Sequence, residues 1–182
     1  MHIEYFSELI LMLILVIAVI SDIRFQKIPN WLTFPTMIGA IAYNTSSMGV
    51  QGFLFSIAGI FVGIAVMFLP YLVGKMGAGD AKLMGAAGGL LGPKGIFVAF
   101  LLTALIGGIY GIIVLVIHGS LRDTLRRYWF LLRTFFLARK IIYIPPSDLE
   151  KTPRLRYGIA IALGTIMTMI MKNNIYALLN FN

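Results

Sequence analysis

Long apolar runs constrain this chain more than any other feature. A helix that crosses the hydrocarbon core of a bilayer needs about 20 mostly apolar residues. The sequence offers such stretches at 5–22, 31–49, 53–73, 80–92, 95–118 and 156–173. The fourth, DAKLMGAAGGLLG, is short and rich in glycine, which a membrane tolerates only where protein surrounds its start. Charged residues are 12% of the 182, about half of what a soluble domain of ordinary composition carries. The expectation is an all-α fold: one membrane-embedded domain over 1–182, a polytopic bundle of six transmembrane helices. The first stretch lacks a basic leader region, carrying Glu4 and Glu8 instead, and no small-residue cleavage signature follows it. It reads as a retained span and not a removed signal peptide.

Charge gives the orientation. With the N-terminus outside, all 15 Lys and Arg except Lys94 and Lys172 fall in or beside the segments after spans one, three and five. The positive-inside rule then selects N-out, C-out. The net charge of +8 thus marks the cytoplasmic side of a membrane protein, and no nucleic-acid partner is expected. Within the long internal loop, 119–155, Leu121, Leu125, Tyr128, Trp129, Leu132 and Phe136 recur at helical spacing, with Arg122, Arg126, Arg133 and Arg139 largely off that stripe. This is the pattern of a basic amphipathic helix lying on membrane lipids. Pro145 and Pro146 end it. Small residues four apart, Gly59 with Gly63, Gly85 with Gly89 and Gly107 with Gly111, read as helix-packing surfaces.

The chain contains no cysteine, which excludes thiolate nucleophiles and cysteine-based zinc or iron–sulfur sites. His2 and His118 stand alone without metal-ligand spacing, and Ser21 beside Asp22 reads as a cap or packing residue. No metal or cofactor is expected. The acidic residues are more telling. Glu4 and Glu8 lie near the external mouth, and Asp123, Asp148 and Glu150 lie in the loop. Asp22 and Asp80 remain, both at the internal edge of apolar spans, where a charged side chain is costly and marks function. Placed together, two carboxyls can share a proton, one staying protonated as an acid while its partner is an ionised base. Amide hydrolysis by water requires that division. Gly77 and Gly79 beside Asp80 allow unusual backbone conformations and a close approach of substrate; a plain flexible turn is the alternative. Two other readings stay open on these residues: a proton- or cation-coupled transporter using intramembrane carboxylates, and a scaffold whose basic helix docks a partner.

Three segments carry a family resemblance. SDIRFQKIPN, with Asp22 followed by Ile-Pro-Asn, resembles the first aspartate motif of the type IV prepilin peptidases; GAGDAKL resembles their second, and PRLRYGIAIALG, Pro153 to Gly164, a third recurring stretch. The resemblance implies an integral-membrane aspartic endopeptidase of the Gly-x-Gly-Asp class. Such enzymes remove a short basic leader from prepilins or pseudopilins, cutting after a glycine at the cytoplasmic face of the inner membrane. It implies Asp22 and Asp80 as the catalytic pair and Gly77 and Gly79 as shapers of the second loop. Pro29, Asn30 and Lys82 occupy motif positions with a structural role. Bifunctional members also N-methylate the new terminus and carry an insert with zinc-binding cysteines. This chain looks like a short form without it, so methyltransferase activity is not expected.

Overall fold

The structure, a computed structural model, describes residues 2–72, 76–117 and 157–178. The expected amphipathic helix in 119–155, and His118, lie outside them. The described residues form four helices: α1 (His2–Phe25), α2 (Asn30–Leu72), α3 (Ala78–Ile117) and α4 (Tyr157–Leu178). The chain divides into two units, Met1–Gly107 with Leu155–Asn182, and Gly108–Arg154. In the second unit the described part is the last stretch of α3, a helix with Ile109, Ile112, Ile113, Val116 and Ile117 exposed.

In the first unit, local chemistry sets the helix ends. α1 stops at Gln26, whose backbone is left-handed (φ 52°) and whose N–H bonds the Asp22 carbonyl at 3.0 Å. The Ser21 hydroxyl donates to the Lys27 carbonyl at 2.8 Å and pins the turn back onto α1. Pro29 cannot continue a helix from Ile28, since proline holds its predecessor extended. It can open one, and its carbonyl accepts the N–H of Leu32 at 3.1 Å.

α2 spans 43 residues and α3 spans 40. At 1.5 Å per residue each is roughly 60 Å of helix, about twice the hydrocarbon core. Neither is continuous. Gly49 (φ 61°, ψ −139°) and Gly92 (φ 73°, ψ 176°) break them in conformations that side-chain-bearing residues rarely adopt. At Gly49 the chain doubles back. Asn44 Nδ2 donates to Ser56 Oγ at 2.8 Å, and Ser56 Oγ donates to the Ala40 carbonyl at 3.2 Å. Asn44 Nδ2 also donates to the Gly89 carbonyl at 3.0 Å, and that carbonyl, also 3.0 Å from Ser56 Oγ, is the alternative acceptor for the one Ser56 hydroxyl proton, which joins both arms of α2 to α3.

Close helix crossings follow the small residues. A Cβ on Gly59 would run into the Gly88 carbonyl, and one on Gly63 would meet the Met84 carbonyl carbon at 2.8 Å. The arm 50–72 of α2 therefore lies backbone to backbone, and antiparallel, on the first arm of α3. The second arm of α3 pairs with α4: Gly107 faces Tyr157 and Gly164 faces Thr103, again antiparallel. α4 also packs on α1. Leu11, Leu15, Ala18, Leu83, Met84, Ile96, Ala99 and Ile161 form the core these elements enclose.

The distribution of polarity is the reverse of a water-soluble protein. Thr33, Asn44, Ser56, Thr103, Thr165 and Thr168 are buried, while Leu9, Trp31, Phe61 and Ile170 are each more than two-thirds exposed. An outer surface this apolar suits lipid. α2 and α3 are long and apolar enough to cross a membrane.

Candidate active site

Asp80 sits in the first turn of α3. Its Oδ2 accepts the Gly77 N–H at 3.0 Å, while its own N–H donates to the Gly77 carbonyl at 3.1 Å. This is the carboxylate half of a capping box, which satisfies one of the amides a helix start leaves without a partner. The position also accounts for the run Gly-Ala-Gly-Asp: the cap residue, two helical residues, then the carboxylate that reaches back.

The two glycines serve differently from the expectation of unusual backbone. Neither lies in the left-handed region. A Cβ on Gly77 would sit at ordinary contact distance, 3.6 Å, from Asp80 Oδ2. On Gly79 it would press on Ile28, at 3.1 Å from Cβ and 3.3 Å from both N and O. Gly79 is thus where the α1–α2 turn lies against the start of α3. The requirement is proximity between two chain segments.

Asp22 is in the last turns of α1. Its Oδ2 accepts the N–H of Gly158, in the first turn of α4, at 3.0 Å. Asp22 is 7% exposed and Asp80 9%, so both carboxyls are withdrawn from bulk water. With Ile28 seated on Gly79, the turn that follows Asp22 lies against the first turn of α3, which carries Asp80, so the two carboxyls lie at one end of the unit.

The remaining motif residues tie the same elements together. Lys82 Nζ donates to Asn30 Oδ1 at 2.9 Å and lies 5.1 Å from the centroid of the Phe34 ring, a cation held over an aromatic face. This clasp links the start of α2 to the first turn of α3. Pro29 stands directly before it, with its carbonyl on the first turn of α2. Ser21 fastens a turn through its bond to Lys27. Gly158 is the residue that sequence reasoning left without a task. It lies 136 positions from Asp22, and no local pattern relates the two. The available signal was its place in the stretch PRLRYGIAIALG, at the start of the last apolar run.

The model of the type IV leader peptidase family matches residues 9–112. That range holds Asp22, Asp80 and the Asn30–Lys82 clasp but not Gly158. Among curated proteins, the chain is 30% identical over 111 residues to a prepilin leader peptidase/N-methyltransferase of Bacillus subtilis, covering 59% of this chain and 44% of that protein. It is 32% identical over 113 residues to one of Aeromonas salmonicida, covering 58% and 38%. It is 33% identical over 129 residues to one of Legionella pneumophila, covering 67% and 45%. The matches span less than half the length of these relatives. No solved structure matches the chain.

Proposed function

The chain belongs to the type IV leader peptidase family, and on that premise we propose that it is a membrane aspartic endopeptidase with Asp22 and Asp80 as its catalytic pair. The observation that supports this most is the pair itself: two withdrawn carboxyls, from helices distant in sequence, at one end of the unit. A water between them loses a proton to the ionised carboxylate as its oxygen attacks the scissile carbonyl carbon. The protonated carboxyl donates to the carbonyl oxygen. The tetrahedral intermediate then collapses: the C–N bond breaks, the proton first taken from water passes to the leaving nitrogen, and a hydroxyl of the intermediate returns a proton to the carboxylate that had acted as acid as the carbonyl re-forms.

The substrate class proposed is a prepilin or pseudopilin, cut after a glycine at the end of its basic leader, at the cytoplasmic face of the inner membrane. The names of the relatives support the substrate, and the crowding of Lys and Arg on one side supports the face. Cleavage without N-methylation is the activity proposed for these 182 residues, which contain no cysteine to hold the zinc of the methylating members. Gly79, Pro29, Asn30 and Lys82 then hold the two aspartate-bearing segments together, and Gly77 caps the helix that carries Asp80.

The test is leader cleavage in detergent with Asp22→Asn and Asp80→Asn, each alone. Each variant is expected to remain helical and to lose at least about a hundredfold in rate, the lower range for a general acid or base. Mass spectrometry of the wild-type product should show the leader lost after glycine and no added methyl. Full-rate cleavage by either variant overturns the aspartyl mechanism.

A further inference from the structure

Gly158 makes two contacts with Asp22 that the peptidase reading does not itself require. Its N–H, one of those a helix start leaves without an internal partner, donates to Asp22 Oδ2 at 3.0 Å in a buried setting. Its bare Cα leaves room for that carboxyl. A Cβ there would lie 2.8 Å from Oδ2 and 3.1 Å from both Cβ and Cγ of Asp22. All of these are inside ordinary contact distance, and the three nearest atoms in the way belong to the aspartate.

We propose that Gly158 is the positioning residue for Asp22, the start of α4 acting as a fixed stop against which one carboxyl of the site is set. The inference rests on Asp22 being one of the catalytic pair. The two contacts complement each other. The hydrogen bond holds one carboxylate oxygen toward α4, and the missing side chain lets the carboxyl approach closely enough to make that bond. A methyl at position 158 cannot be met by moving a flexible side-chain tip, because the carboxyl is buried between α1 and α4. It must turn the carboxyl away. A displacement on the order of 1 Å at a reacting group can cost a hundredfold in rate.

The first experiment is Gly158→Ala, assayed on a leader peptide in detergent. The expected result is a fall in kcat of about tenfold to a hundredfold with KM little changed, since the contact altered is the one to the Asp22 carboxyl. A folded variant with unchanged kcat, or a loss confined to KM, overturns the proposal. The second experiment keeps the question open to refutation should the alanine variant not fold. Tyrosine precedes glycine at two places in the sequence, Tyr110–Gly111 and Tyr157–Gly158. Protein labelled with carbonyl-¹³C tyrosine and ¹⁵N glycine therefore gives two filtered amide resonances. Replacing the Asp22 carboxylate by the Asp22→Asn amide should move one of them upfield in the proton dimension and leave the other in place. If neither moves, there is no such bond and the proposal fails. If Asp22→Asn is inactive yet the resonance stays, this inference falls alone; if Asp22→Asn cleaves at full rate, it falls together with the aspartyl mechanism.

Discussion

Asn30 and Lys82 show what single residues contribute beyond the carboxyls. Their 2.9 Å bond, with the Phe34 face beneath the ammonium, joins two segments whose separation sets the site. Asn30→Ala and Lys82→Met should each lower both thermal stability and cleavage rate, and the double variant should be little worse than either. A double-mutant cycle on unfolding is expected to return a coupling of ~0.5–1 kcal/mol, in the range for contacting residues; additive effects would separate the two roles. Gln26 invites the opposite experiment. It holds a left-handed conformation at the end of α1, so Gln26→Gly should raise stability by about 0.5–1 kcal/mol, read as a higher midpoint in detergent. At this scale the sequence was partly transparent. Asp22 and Asp80 stand out because carboxylates at apolar edges are rare and expensive. The role of Gly158 was opaque: it falls in the stretch PRLRYGIAIALG, but its partner is far along the chain and a glycine carries no chemistry of its own.

The elements divide along the same line. The apolar runs ending at residues 49 and 92 could be delimited from the sequence, and the helix breaks fall at Gly49 and Gly92. That a single glycine joins the arms was not foreseeable, because a reversal of one residue leaves no polar loop to read. Glycine spacing pointed to Gly59 and Gly63 as packing positions, and both meet α3 backbone. Spacing does not rank glycines, however; surroundings do. Gly39 has nothing within 4 Å of a Cβ position, so Gly39→Ala should be neutral or stabilising by up to about 1 kcal/mol through helix propensity. Gly59→Ala drives a methyl into a carbonyl and should destabilise by about 1–3 kcal/mol, as overpacking does. Thermal unfolding of the two variants side by side decides the contrast.

For the molecule as a whole, the outstanding proposal is its path through the bilayer. α2 and α3 each hold enough helix for two crossings and each is broken near its middle, which with α1 and α4 is the length that six crossings require; the proposal of both termini outside rests on the distribution of Lys and Arg. The absence of native cysteine makes the test direct. Lys94→Cys should react with a membrane-impermeant maleimide in intact cells, and Lys27→Cys only after permeabilisation. The reverse pattern would invert the orientation and place the aspartates on the other face.

The reversal at Gly49 bears on how that end of the molecule can be probed. Where a chain turns on one residue, nothing protrudes: between Asn44 and Ser56 there is no slack for a protease to cut or an antibody to grip. A tag spliced in at Gly49 would have to prise apart two arms held by Asn44 and Ser56, so probes of that surface are better carried by a side chain than by an inserted segment.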